Sequence, residues 1–260
     1  MSASVSPEQE TRCRIAEALR AAGLRAGGCA LVHSSLSSLG YVPGGATTVI
    51  EGLLDALGPE GTLLMPALSY EHVHAHQPFF DVLRTPSNVG VIPETFRLRP
   101  GVLRSVNPTH SVCGIGPRAC DLLTHHQKDE TPCGLHSPFH LLRQVEGQIV
   151  FLGCGLRPNT SMHSVEELVE PPYLFGALIA YRVRLVSGEE ITLRCRRHNF
   201  AGYTQRYDRL AGLLKARELR TGRVLRAIAH VIECAPMWER ALSALRRDPF
   251  FFVERSEAHP

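Results

Sequence analysis

The chain has 260 residues, 44% hydrophobic and 20% charged, the make-up of a globular protein rather than a disordered or fibrous one. Its formal charge of +3 hides an asymmetry: residues 182–226 carry 12 basic against 4 acidic side chains, a net +8. No apolar run approaches the ~18–20 residues of a membrane span, and Met1–Glu10 lacks the layout of a signal peptide, so a cytoplasmic chain with no membrane partner is expected.

In chain order, Glu8–Ala22 has apolar residues at helical spacing and ends at Gly23, which predicts a first helix. Cys29–His33 reads as a short buried strand that runs into a serine-rich loop, Ser34–Gly40. Gly44-Gly45 opens a second helix to about Leu57, and Thr62–Met65 reads as a second buried strand. The polar, aromatic stretch 69–88 reads as a long loop, of the kind that compact domains keep for function. Val91–Arg97 is a short helix, and strands at Val102–Ser105 and Ser111–Ile115 flank Asn107-Pro108-Thr109-His110. Ala119–His126 and Leu141–Val145 read as helices, and Ile149–Gly153 as a buried strand. A hairpin follows, with Tyr181–Val186 and Glu190–Arg194 on either side of Ser187-Gly188-Glu189. A helical stretch at Tyr203–Leu214, a strand at Val224–His230 and a helix at Ala235–Leu245 close the chain. Alternating strands and helices predict an α/β fold, and with no repeat or low-complexity linker the simplest count is one domain over residues 1–260.

The segment carrying most chemistry is Asn159-Thr160-Ser161-Met162-His163-Ser164-Val165-Glu166-Glu167, directly after the glycine-broken end of the Ile149–Gly153 strand. Asn, Thr and Ser supply a helix start, and His163 then lies three residues from Glu166 and four from Glu167, on one helix face. A carboxylate so placed holds an imidazole in one tautomer, which suits a general base. Taken alone, the segment equally fits a polar cap with a surface ion pair.

Eight scattered cysteines with no CxxC predict reduced thiols. Histidines crowd the loops: His72, His74 and His76 in one segment, then His125, His126, His136 and His140, with Cys195 and His198 as a C-x2-H pair. None of these groups supplies a full ligand set at recognised zinc spacing, so no metal is expected. The basic segment holds few aromatics and no nucleic-acid motif, which argues against a nucleic-acid partner.

Several separated segments together resemble the aminoglycoside N3-acetyltransferase family, the antibiotic acetyltransferases distinct from the GNAT enzymes. They include Leu31-Val32-His33-Ser34-Ser35-Leu36, Leu57–Pro66, Thr85–Gly90, Glu94–Arg97, Pro100–Ser105 and Asn107-Pro108-Thr109-His110-Ser111. The block Gly147–His163 with Glu166 follows, and Asp248-Pro249 extends the match to roughly residues 8–255. The resemblance implies a central mixed, largely parallel sheet flanked by helices. It also implies transfer of an acetyl group from acetyl-coenzyme A to an amine, most directly the 3-amino group of an aminoglycoside, as in antibiotic resistance.

Under that resemblance His163 is the catalytic base and Glu166 its carboxylate. Imidazole, with an ordinary pKa near ~6.5, can take the proton an ammonium must lose before it attacks a thioester. Direct transfer needs no enzyme nucleophile. His33, Ser34, Ser35, Leu36, Gly44 and Gly45 are expected on the cofactor side, the serine loop also offering oxyanion donors and the glycines a helix start for a pyrophosphate. Arg104, Ser105, Thr109, His110 and Ser111 are expected there too, although Pro108 alone would explain a turn. Tyr70, Glu71, Asp81, Asn159, Glu167 and His198 are expected to meet the amine. The basic run Leu193–Phe200 departs from the acidic pocket that a polycationic acceptor calls for. Two alternatives therefore stand beside the aminoglycoside: a different amine from a natural-product or metabolic pathway, or a non-catalytic coenzyme A or ligand binder. A monomer or homodimer is expected.

Overall fold

A computed structural model describes residues 5–256; the first four residues of the polar Met1–Glu10 segment and residues 257–260 lie outside the described residues. The chain begins with α1 (Pro7–Ala21), whose N-cap Ser6 accepts the Gln9 N–H through its hydroxyl, with Pro7 in the first turn. There follow β1 (Cys29–Ser34), α2 (Gly45–Leu57), β2 (Thr62–Pro66), β3 (Phe79–Asp81), α3 (Val91–Arg97), β4 (Leu103–Arg104) and β5 (Val112–Ile115). Next come α4 (Ala119–Leu123), α5 (Pro138–Leu141), β6 (Gln148–Leu152), α6 (Ser161–Glu166), β7 (Phe175–Arg184) and β8 (Glu190–His198). The chain closes with β9 (Tyr203–Gln205), β10 (Leu219–Val224), β11 (Ala227–Glu233), α7 (Cys234–Arg247) and β12 (Val253–Arg255).

Seven strands form one sheet in the order β10-β11-β6-β1-β2-β5-β4. Its centre is parallel, with Leu31 of β1 opposite both Leu64 of β2 and Ile149 of β6. The outer strands join antiparallel, so the fold is α/β with a mixed sheet. Side chains alternate across that sheet. Ala30, Val32, Leu63, Met65, Val150 and Leu152 face a core built with Ile15, Leu19, Val49 and Leu53 of α1 and α2. Leu31, Leu64, Ile149 and Phe151 face the opposite core, with Met162 of α6 and Met237 and Trp238 of α7. Both faces of β1, β2 and β6 are thus covered, which is why these strands read as unbroken apolar runs.

Several boundaries differ from expectation. The long loop 69–88 contains β3, whose Phe79 pairs in parallel with Arg182 of β7 in a separate sheet β3-β7-β8. The stretch expected as a helix from Tyr203 is instead β9, paired with β12, followed by a 3-10 turn at Tyr207–Gly212. The strand expected at Val224–His230 is two strands, reversed at Leu225 with φ of 53°. The helix expected to reach His126 stops at Leu123. At β3 and β9 a pairing with a distant strand overrides local periodicity.

Gly153 ends β6 and turns the chain toward α6. Its φ is +76°, and a Cβ there would lie 2.8 Å from Ser38 Cβ and 3.1 Å from Ala227 Cβ. Gly153→Ala is expected to destabilise the protein by about 2–4 kcal/mol, through the left-handed backbone and overpacking together. Urea unfolding measures this, and a loss under about 1 kcal/mol would contradict it.

Candidate active site

A cavity of about 460 Å³ opens at the carboxyl ends of β1, β2 and β6, where open α/β sheets leave a crevice for ligands. β1 delivers His33 and Ser34 to it, the segment after β6 delivers Cys154, Pro158 and Asn159, and α6 delivers His163. Thr109 and His110 enter from the turn before β5, and Arg197, His198, Asn199 and Phe200 from the end of β8. The basic run is therefore at the cavity. Among the described residues, no aspartate or glutamate lines it.

The two carboxylates of α6 lie just behind the imidazoles. Glu166 is fully buried, and its Oε2 lies 3.0 Å from His163 Nδ1. Tyr207 donates its hydroxyl to the same oxygen at 2.8 Å, and Tyr173 donates to Oε1 at 3.0 Å. The Tyr207 hydroxyl also lies 3.0 Å from His163 Nδ1, and in the tautomer whose Nδ1–H donates to Glu166 the neutral imidazole keeps its lone pair on Nε2. This pairing is an i,i+3 contact within one helical turn. Burial, and then the neighbouring anion, raises the Tyr207 and Tyr173 hydroxyls above their ordinary range, which keeps both as donors.

Glu167 has a different partner from the one its i+4 spacing suggests. The helix ends at Glu166, and Glu167 turns to accept from Thr131 Oγ1 at 2.6 Å and the Cys133 N–H at 2.8 Å. His198 Nε2 lies 2.8 Å from Glu167 Oε1, leaving Nδ1 buried and unpartnered. Burial pushes the Glu167 carboxyl up to about 8, against the pull of the Thr131 and Cys133 hydrogen bonds. His110 is held through Nδ1 by Thr109 Oγ1 at 2.9 Å. The His110, His163 and His198 rings stand 4.6–5.8 Å apart between centroids. Burial holds His110 and His198 neutral, well below the ordinary imidazole range. Phe200, at φ of 49°, closes over His163 at 5.3 Å while its N–H and that of Asn199 are tied to the Tyr173 and Leu174 carbonyls.

Of the residues expected on the cofactor side, His33, Ser34, Thr109 and His110 line the cavity. His33 stacks on Phe151 at 5.0 Å, and its Nε2 and Ser34 Oγ are buried without partners. Ser35 and Leu36 do not line it; the Ser35 N–H is committed to the Leu152 carbonyl, and its hydroxyl joins Ser37 and Ser38. Gly44 and Gly45 sit at the start of α2, where a Cβ on Gly45 would meet nothing within 4 Å. Arg104 is not free to hold an anion. It donates to Ser111 Oγ and to the carbonyls of Val82, Thr85 and Ala67, with its guanidinium over the Phe80 ring, and burial lowers its pKa to about 10. Ser105 bonds His126, and Ser111 donates to Ala67, so both are internal.

Of the residues expected to meet the amine, Tyr70, Asn159 and His198 line the cavity, Asn159 with a buried, unpartnered Oδ1. Glu71 is exposed outside the lining. Asp81 caps the backbone N–H groups of Leu83 and Arg84 instead, a turn device. The loop histidines do not assemble as their spacing suggests. His74 and His76 meet each other, His136 pairs with Asp129, and the buried Cys195 thiol donates to the Arg196 carbonyl rather than joining His198. The site residues that sequence reasoning passed over are Tyr207, Tyr173 behind it, and Arg157 and Gln205 in the lining. Two of them carried a signal, Tyr207 as an aromatic within the basic segment and Tyr173 at the end of the block that resembles the family.

A family model described as aminoglycoside 3-N-acetyltransferase matches residues 31–246. Aminoglycoside N(3)-acetyltransferase VIII of Streptomyces fradiae is 31% identical, over 86% of this chain and 88% of its own. Aminoglycoside N(3)-acetyltransferase IV of a Salmonella species is 31% identical, over 90% and 87%. Among solved structures, the aminoglycoside acetyltransferase AAC(3)-IVa, as a mutant in complex with a gentamicin, superposes with a TM-score of 0.79 at 28% identity, over 96% of this chain and 91% of its own. AAC-IIIb in a binary complex with CoASH gives 0.79 at 27% identity, over 95% and 98%.

Proposed function

The chain belongs to the aminoglycoside 3-N-acetyltransferase family, and from that premise we propose that it moves the acetyl group of acetyl-coenzyme A to an amine, most directly the 3-amino group of an aminoglycoside, with His163 as general base. The observation that carries this reading is the His163 imidazole, pinned through Nδ1 by a buried Glu166 and lining the cavity.

The chemistry follows from that placement. The amine lone pair forms a bond to the acetyl carbonyl carbon, the carbon–sulfur bond breaks, and the proton released from nitrogen passes to His163 Nε2. From there it can reach the departing thiolate, so no cysteine enters the reaction. As His163 becomes cationic, Glu166 stabilises the imidazolium. Ser34 Oγ–H, buried and without a partner, is the available donor for charge on the carbonyl oxygen. Removing one such donor typically costs ~10²–10³ in kcat. Ser35 is a poorer candidate, because its N–H is already bonded. Coenzyme A fits the residues present: the cavity of about 460 Å³ has room for the thioester end of its arm. The start of the 13-residue α2, open at Gly45, is a helix N-terminus of the kind that receives phosphates, although the Gly45 N–H itself is bonded to the Val42 carbonyl.

The carboxylate-free lining, with Arg157 and Arg197 in it, favours a second reading in which the acceptor is an amine less cationic than an aminoglycoside. A thiol-release screen with acetyl-coenzyme A decides between the two. Aminoglycosides bearing a 3-amino group should release thiol, and derivatives lacking it should not. Release with simple amines alone would sink the aminoglycoside reading, and release with none of the panel would sink acetyl transfer.

A further inference from the structure

Three imidazoles from three distant segments meet on one wall of the cavity, and the acetyl-transfer reading uses only one of them. His110 comes from the turn before β5, His163 from α6 and His198 from the end of β8. One ring nitrogen from each lies within 4.8 Å of the other two. We propose that His110, His163 and His198 form a binding site for one divalent transition-metal ion of zinc-like chemistry, and that its occupancy blocks His163 as a base. The blocking half of this inference rests on the acetyl-transfer reading; the binding half does not.

The second nitrogen of every ring is already held from behind. Thr109 Oγ1 engages His110 Nδ1, Glu166 engages His163 Nδ1, and Glu167 engages His198 Nε2. That leaves His110 Nε2, His163 Nε2 and His198 Nδ1, the last buried with no hydrogen-bond partner. Imidazoles backed by carboxylates or hydroxyls are the arrangement in which metal-ligating histidines are oriented and made more basic. Three neutral nitrogens and no oxygen ligand suit zinc, copper or cobalt rather than magnesium or calcium. A tetrahedral zinc with bonds of about 2.0–2.1 Å needs nitrogens about 3.4 Å apart, so the three rings must turn and close in to bring these nitrogens onto one ion. All three line the cavity, whose open side leaves a fourth coordination position for water. A metal bond at His163 Nε2 uses the lone pair that the amine proton requires, so ion and proton compete for one atom.

Protein purified without a histidine tag and stripped with a chelator tests this, titrated with Zn²⁺ by calorimetry and with Co²⁺ by visible absorption. The expected result is one equivalent bound, with the intense visible bands of a four-coordinate cobalt site. Binding should weaken more than about tenfold in His110→Ala and in His198→Ala, and about 10–100-fold in Glu167→Gln, which keeps all three imidazoles and alters the support behind His198 together with the Thr131 and Cys133 contacts. Circular dichroism of the three variants checks that each is folded, and the milder Glu167→Gln keeps the test open if either alanine variant is not. One equivalent of Zn²⁺ should suppress thiol release, and chelator should restore it. Uptake below a tenth of an equivalent, or uptake unchanged in all folded variants, overturns the site. Full turnover by zinc-saturated protein overturns the blocking. Failure to turn over any amine falls on the acetyl-transfer reading alone, because the cobalt spectrum and the zinc stoichiometry still decide the site.

Discussion

His163→Ala is expected to lower the turnover of thiol release by about 10²–10⁴-fold, the usual contribution of a positioned general base. The KM for acetyl-coenzyme A should change little, because the loss is of proton transfer rather than of binding. The variant should remain folded, since His163 is a cavity-lining side chain and Glu166 keeps two hydroxyl donors, Tyr173 and Tyr207, after the imidazole has gone. Glu166→Gln should fall less than His163→Ala in turnover and more in stability. The amide keeps one acceptor but places a donor among donors, and a buried mismatch of this kind costs about 1–3 kcal/mol. Steady-state kinetics on purified variants, with circular dichroism as the fold control, measure both. Turnover within about threefold of the parent in His163→Ala would remove the base from the mechanism.

That pairing was the part of the site most open to sequence reasoning, and the reason is its locality. His163 and Glu166 are three residues apart on one turn of helix, so spacing alone brings them together. The strands that carry the site were readable for a similar reason: both faces of β1, β2 and β6 are covered, and their apolar runs are bounded by glycine and proline. Glu167 shows where locality ends. Spacing allowed it to share His163, but the helix stops one residue earlier and Thr131, Cys133 and His198 claim it. Tyr207 reaches Glu166 across 41 positions, and His110, in the turn before β5, meets His198 at the end of β8; no periodicity encodes such contacts. Arg104 carried the opposite lesson. The family resemblance put it on the cofactor side, whereas every observed hydrogen bond from its buried guanidinium turns inward onto carbonyls and a serine. The histidine count was visible from the start, but which histidines converge depends on which loops end at the same edge of the sheet.

Acid should unfold this protein early, and buried histidines are the cause. Burial lowers His33 to about 3, and both His126 and His140 to about 4, against an ordinary value of ~6.5. Smaller opposing or reinforcing effects come from His163 beside His33, from the Pro132 carbonyl and His136 around His126, and from Arg143 and His136 around His140. His126 is locked between Ser105 Oγ and the Pro132 carbonyl, and His140 stands edge-on to Trp238 at 5.0 Å with its Nδ1 unpartnered. Above pH ~6.5 these three are neutral whether the chain is folded or unfolded, and they add no pH dependence. Below it the unfolded chain takes protons that the folded chain refuses, so stability falls as pH falls, through each folded value of about 4 and then about 3. Each group contributes a slope of about 1.4 kcal/mol per pH unit within its window. Glu167 runs the other way: with its carboxyl raised to about 8, it favours the folded state increasingly as pH drops from there toward the ordinary carboxylate range. It offsets one histidine, and the net slope from pH ~6.5 to ~4.5 remains downward. Against an ordinary stability of about 5–15 kcal/mol, that slope is enough to unfold the protein in mild acid. Urea midpoints across pH ~8 to ~4.5 should therefore drop steeply below pH ~6.5, and His140→Gln should make that drop shallower by one group's slope. Midpoints that hold constant from pH ~7 to ~4.5, or an unchanged slope in a folded His140→Gln, would show that these imidazoles titrate normally despite their burial.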